Sequence, residues 1–116
     1  MHVSTKLNRS HVVTGETALI LPTLGRTERD VAAAGEQFVT VEDSMSVVHR
    51  SRGRKAPAAG TLRSEVAIVC GLARTLLGPQ HPVRWEMLAG DYDLVREHIA
   101  AVVPGCTDYN LSLIHI

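Results

Sequence analysis

The stretch Ala18-Leu19-Ile20-Leu21-Pro22 is apolar throughout and stops at a proline. It is too short for a helix and has no polar alternate positions, so it predicts a central strand of a parallel layer, covered on both faces. Upstream, residues 2–5 read as the end of another strand that runs directly into the polar Lys6, Asn8, Arg9 and Ser10. Downstream, residues 23–36 carry Gly25, Gly35 and the alternating charges Arg26, Glu28, Arg29 and Asp30, the signature of a surface loop with room for one helical turn.

Residues 37–42 and 46–49 are rich in β-branched side chains and predict two short strands on either side of Asp43 and Ser44. Residues 51–60, with two glycines, a proline and three alanines, read as loop. A helix is predicted from Thr61 or Leu62 to Leu77. Its stripe is Leu62, Val66, Val69, Ala73 and Leu76, widened by Ile68 and Leu72. Glu65 suits its positive end, Arg74 its last turn, and Gly78-Pro79 stops it. A second helix is predicted over residues 92–103, with Asp91 as cap, an apolar face of Leu94, Val95, Ile99 and Val102, and Pro104-Gly105 as the stop. Together these elements give an α/β chain.

The 116 residues allow one modest domain, and 45% hydrophobic residues with only four aromatics imply an aliphatic core. Twelve basic and twelve acidic residues cancel, so no net field draws the chain to nucleic acid or to an anionic membrane. Cys70 and Cys106 stand outside any metal-binding spacing, and Cys70 reads as a buried structural thiol. Apolar runs stay short of the roughly 18 residues of a membrane span, and no leader pattern opens the chain. A soluble, cytoplasmic chain is expected.

Candidate site residues follow from placement. Ser4, Thr5 and Lys6 follow a strand directly, where open α/β sheets bind ligands, and Asn8, Arg9 and His11 extend the same polar run. Arg9 offers a forked contact to phosphate. Ser44, Ser46 and His49 place hydroxyls near an imidazole, but without an acid to orient it they read as a structural turn. Arg50, Arg52, Arg54 and Lys55 form the one marked basic run, read as a solvated loop.

The blocks Ser4-Thr5-Lys6-Leu7-Asn8-Arg9-Ser10-His11, Leu24-Gly25-Arg26-Thr27-Glu28 and Gln37-Phe38-Val39-Thr40-Val41-Glu42-Asp43-Ser44-Met45-Ser46 occur in this order, followed by Ser64-Glu65-Val66-Ala67-Ile68-Val69-Cys70 and Asp108-Tyr109-Asn110. In this arrangement the chain resembles the formate-dehydrogenase-like alpha subunits of the molybdopterin-dependent oxidoreductases. The resemblance covers residues 2–110. It implies an internal fragment, a partial Rossmann-like layer with a short parallel sheet and packed helices, forming an incomplete domain of a larger enzyme.

The resemblance also implies a parent that holds molybdenum in two molybdopterin guanine dinucleotides, with a [4Fe-4S] cluster. The metal and cluster ligands would lie before Met1 and a further domain after Asn110. These missing N- and C-terminal domains of the same polypeptide are the expected partners, with no nucleic acid and no membrane span. Ser4, Thr5, Lys6 and Asn8 become the expected cofactor-binding residues, His49 a residue lining the way to the metal, and no residue of the chain a metal ligand or catalyst. The parent's substrate stays open. From a different class, the alternative is a small stand-alone α/β binding or interaction module without catalysis. Residues 1–110 are read as part of the cofactor-binding α/β domain with its connector. Leu111-Ser112-Leu113-Ile114-His115-Ile116 matches the translation of a transposase adapter used in sequencing libraries, and is read as non-native.

Overall fold

The structure, a computed structural model, describes residues 1–110. The adapter reading of residues 111–116 falls outside the described residues. Among the described residues six short strands precede three α-helices: β1 (His2–Ser4), β2 (Ile20–Pro22), β3 (Val31–Ala32), β4 (Gly35–Glu36), β5 (Val39–Glu42), β6 (Val48–Ser51), α1 (Glu65–Leu77), α2 (Trp85–Gly90) and α3 (Tyr92–Val102). The chain is thus α/β in the broad sense. Its strands form separate two-stranded sheets, of which β1-β2 is parallel while β3-β4 and β5-β6 are antiparallel hairpins.

The parallel pair aligns His2 with Ile20 and Ser4 with Pro22. His2 N–H donates to Leu19 O (2.8 Å) and Thr23 N–H to Ser4 O (3.1 Å). In a parallel ladder alternate residues bond the partner, so the missing N–H of Pro22 falls on the outer edge and costs nothing. The expected strand, residues 18–21, thus starts two residues later and ends one later, at Pro22. It is not covered on both faces: Leu19 is 51% and Ile20 37% exposed, because among the described residues only β1 flanks it.

Thr23, buried just past β2, ties the pair to the segment before α1. Its hydroxyl donates to Arg63 O (2.9 Å), and Leu24 N–H donates to the same oxygen (3.0 Å). That bridge draws Arg63 into an extended pairing with Thr23, which keeps residues 61–63 out of the helix. α1 accordingly starts at Glu65, with Ser64 as the capping residue whose hydroxyl accepts from Ala67 N–H (3.1 Å). Gly78, at φ 76°, closes it as expected. The buried face also differs from the predicted stripe: it turns about Cys70 and packs on α2, leaving Val69 and Leu76 in solvent.

The predicted loop over residues 23–36 holds the β3-β4 hairpin, whose tight turn needs Gly35 at φ 104°, a conformation that disfavours any side chain. Ala34 N–H donates to Gly90 O (2.9 Å), fastening this hairpin to the end of α2. Residues 51–60 are likewise pinned. Arg54 and Lys55 N–H both donate to Thr27 O (2.9 Å each), and Arg29 N–H to Lys55 O (2.8 Å). Ala58 N–H donates to Glu28 Oε1 (2.6 Å).

α3 keeps the expected cap, Asp91, whose side chain accepts from Asp93 N–H (2.9 Å). Of its expected apolar face, Leu94, Val95 and Ile99 are half-buried and Val102 is exposed. Its best-buried position beyond the first residue is instead Arg96, only 4% exposed. The guanidinium lies 3.9 Å over the Phe38 ring, donates to Phe38 O (3.2 Å) and Asn110 Oδ1 (2.7 Å), and pairs with Asp93. A buried cation is tolerated because every side of it is matched.

Among the described glycines the tightest approach is at Gly53. A Cβ there would stand 2.0 Å from Glu28 O. We expect Gly53→Ala to force the two loops apart and lower stability by about 1–3 kcal/mol, as overpacking does. Urea denaturation measures this; an unchanged midpoint would show that the loops are not held together.

Candidate functional site

A cleft of about 440 Å³ opens beyond the carboxyl ends of β1 and β2. Thr5, Arg26, Asp30, Arg52, Ser64 and Tyr92 are among its lining residues. The parallel pair delivers Thr5 and the loop after Thr23, the α1 cap delivers Ser64, and the start of α3 delivers Tyr92. Arg52 arrives because Gly53 is pressed onto Glu28, and it holds Glu36 in a half-exposed ion pair (3.3 Å).

Tyr92 is the anchor. It is 3% exposed, its N–H donates to Gln37 Oε1 (2.9 Å), and its hydroxyl donates to Asp30 Oδ2 (2.5 Å). Ser64 Oγ lies 2.6 Å from the same hydroxyl. Burial, reinforced by the bond to Asp30, pushes the phenol well above its ordinary range, so it stays protonated and acts as a fixed donor. Gln37, itself buried, is locked by its own N–H to Asp30 O (2.8 Å) and by Nε2 to Gly35 O (3.0 Å). Glu28 serves the cleft wall: its carboxylate accepts from Gly25 N–H (2.6 Å) and Ala58 N–H, and these bonds hold it below the usual carboxylate range.

Of the sequence-derived candidates, Thr5 lies on the cleft. Ser4 Oγ donates to Lys6 O (2.6 Å) and accepts weakly from Lys6 N–H, shaping the turn out of β1. Asn8 caps a short 3-10 turn (Arg9–His11), accepting from Ser10 N–H (2.9 Å). His11 Nδ1 lies 3.0 Å from Asn8 N and 3.2 Å from Asn8 O. Its Nε2 is buried without a hydrogen-bond partner, beside the His2 ring at 4.6 Å between centroids. A buried ring nitrogen without a partner thus closes the polar run that begins at Ser4.

His49 does have an orienting acid, contrary to the sequence reading. Its Nε2 lies 2.7 Å from Asp43 Oδ2, while Asp43 Oδ1 accepts from Met45 N–H (2.8 Å) and Val47 N–H (3.1 Å). The bond to His49 first, and the two amides next, hold Asp43 below its ordinary range. This contribution to the turn is present above that range and fades as pH falls through it. Among the described residues neither Ser44 nor Ser46 bonds the imidazole, so the group is an acid-ordered hairpin turn with no nucleophile in reach. Arg50, Arg52, Arg54 and Lys55 are all exposed, in keeping with the solvated-loop reading, but two of them also make contacts. Arg52 faces the cleft, and Arg50 stands 5.5 Å over the Phe38 ring. Cys70 is buried as expected, which pushes its thiol up. No group of three His, Cys, Asp or Glu placed to hold a metal occurs among the described residues. Among them no helix is long and apolar enough to cross a membrane.

Asp30, Arg52 and Tyr92 escaped the sequence reading because their meeting depends on contacts between distant segments. Tyr92 had one local signal, its place directly after a helix cap.

Comparison with known proteins places the chain inside much longer ones. It is 64% identical over 110 residues, 95% of its length, to uncharacterized oxidoreductases of Mycobacterium tuberculosis and Mycobacterium bovis. It is 52% identical over 115 residues, 99% of its length, to the protein YdeP of Escherichia coli. The chain spans 14% of the length of the mycobacterial relatives and 15% of that of YdeP. No family model and no solved structure matches it.

Removing the Tyr92 hydroxyl leaves Asp30 without its donor. Tyr92→Phe is expected to cost about 1–3 kcal/mol in urea unfolding at neutral pH, the penalty of an abandoned polar partner. The contribution is complete below the ordinary phenol pKa of about 10 and is lost as pH rises above it, so the gap between wild type and variant should narrow there. Equal midpoints at neutral pH would remove Tyr92 from its anchoring role.

Proposed function

We propose that this chain is part of a larger oxidoreductase polypeptide and contributes one wall of a pocket for a guanine dinucleotide arm of a molybdenum bis(molybdopterin guanine dinucleotide) cofactor. The single observation that carries the reading is the cleft at the carboxyl ends of the parallel pair, where Thr5 meets Arg26, Arg52 and Asp30. Support for the broader part comes from the relatives named oxidoreductases, which match the chain over nearly its whole length. In this reading β1-β2 is one edge of a Rossmann-like layer completed by neighbouring parts of the longer polypeptide.

The donor set fits such a group. Arg26 and Arg52 offer cations to a diphosphate, and Thr5 offers a hydroxyl at the strand end where nucleotides bind open sheets. Asp30 has one carboxylate oxygen fixed by Tyr92, and its other oxygen can accept from the donor edge of a guanine. His11 Nε2 is a further buried nitrogen without a hydrogen-bond partner. The cleft volume falls within the roughly 300–1,000 Å³ of small-ligand sites.

When bound, the molybdenum centre supplies the redox chemistry, with a [4Fe-4S] cluster carrying electrons in the parent. The chain's own residues hold and orient the nucleotide arm. Substrate contact, metal ligation and the cluster belong to other parts of the polypeptide.

The test grafts this chain into the mycobacterial relative in place of the matching stretch and measures guanine nucleotide released on acid hydrolysis of the purified protein. Thr5→Ala with Lys6→Ala should weaken retention about ten- to hundredfold, the range for losing one charged hydrogen bond. Arg52→Ala should weaken it too, while Arg74→Ala, on α1 away from the cleft, should not. Full nucleotide content in the Thr5 and Lys6 variant would move the pocket off this wall.

A further inference from the structure

α1 is apolar on nearly every side. Along Glu65–Leu77 the charged residues are Glu65 in the first turn and Arg74, which pairs with Glu86 of α2 (3.4 Å). A helix of that composition belongs in an interior, covered all round. Here one side is covered: Cys70 is buried where α1 meets α2, while Val69 is 57% and Leu76 81% exposed. Val69 and Leu76 are seven residues apart, so they lie on one line along the helix, with the small Ala73 between them.

We infer that this line of α1 is the seat of another segment of the same longer polypeptide. It rests on the reading of the chain as part of such a polypeptide, but not on the cofactor. Three observations select that occupant. The relatives that match α1 and its surroundings are about seven times longer than the matched stretch, so most of their chain is available to cover it. The radius of gyration is 16.0 Å, against about 13 Å for a compact domain of about 100 residues, so the chain is too open to cover its own apolar faces. The exposed line is also narrow. Two large side chains offer far less than the about 800 Å² per partner of a stable dimer, whereas a segment tethered in the same polypeptide escapes most of the entropy cost of association. Between Val69 and Leu76 the line carries no charge, Glu65 standing one turn before it, and the covering segment is accordingly apolar there.

The experiment uses the graft in the mycobacterial relative, with Cys106→Ser to quiet the background. Val69→Cys, Leu76→Cys and, as an exposed control, Glu97→Cys on α3 are introduced singly and maleimide labelling rates measured. Val69→Cys and Leu76→Cys should label at least tenfold more slowly than Glu97→Cys, at a rate independent of protein concentration. Labelling as fast as the control would overturn the inference, and so would protection that disappears on dilution, which assigns the line to a second copy. If Val69→Cys fails to accumulate, Leu76→Cys, closer to the helix end, decides alone. Guanine nucleotide content, measured on the same samples, reports separately on the cofactor: slow labelling without nucleotide retains the docking line and discards the pocket.

Discussion

Tyr92 joins pieces of chain that have little else in common. Its backbone N–H holds Gln37, its hydroxyl holds Asp30, and Ser64 reaches the same hydroxyl from the cap of α1. The loop after β2, the start of α1 and the start of α3 therefore share one buried phenol. Among the described residues the buried apolar side chains are Cys70, Leu88 and Tyr92 itself, so apolar packing is too thin to set these angles alone. The polar junction supplies the missing definition, because a hydrogen bond has a direction that a hydrophobic contact lacks.

A second polar junction works alongside it. Arg96 is stacked on Phe38 and bonded to Phe38 O, Asp93 and Asn110, which fixes α3 to the entry of β5 and to the last described residue. Both junctions use α3, one at its first residue and one a turn later. Helix α3 is thus placed by its polar residues, while its Leu94, Val95 and Ile99 are only half covered. The cleft inherits its shape from this arrangement, since Tyr92 is both junction and cleft floor.

What the sequence made legible were features with a local cause. The strands β5 and β6 follow from β-branched residues around Asp43, α3 from Asp91, and the end of α1 from Gly78. Features with a distant cause were hidden. α1 begins late because Arg63 is claimed by Thr23, forty positions earlier in the chain. β3 and β4 are built from Val31-Ala32 and Gly35-Glu36, with little strand propensity, and exist because Asp30, Gln37 and Gly90 hold their ends. α2 has no side-chain cap to announce it. At the candidate site Thr5 could be read from its place after a strand, whereas Arg52 reaches the cleft through the contact of Gly53 with Glu28.

The thin apolar interior has a thermal consequence. The heat-capacity change on unfolding grows with the apolar surface newly exposed to water and shrinks with the polar surface, giving about 12–15 cal/mol/K per residue in ordinary domains. Here many aliphatic side chains are already wet in the folded state, and the buried side chains that unfolding uncovers include the Thr23 hydroxyl, the Gln37 amide and the Arg96 guanidinium. The increment is correspondingly small. Stability then varies gently with temperature, losing less on cooling than a domain held by a large oily interior, and the covered α1 line of a longer polypeptide would restore the steeper curve.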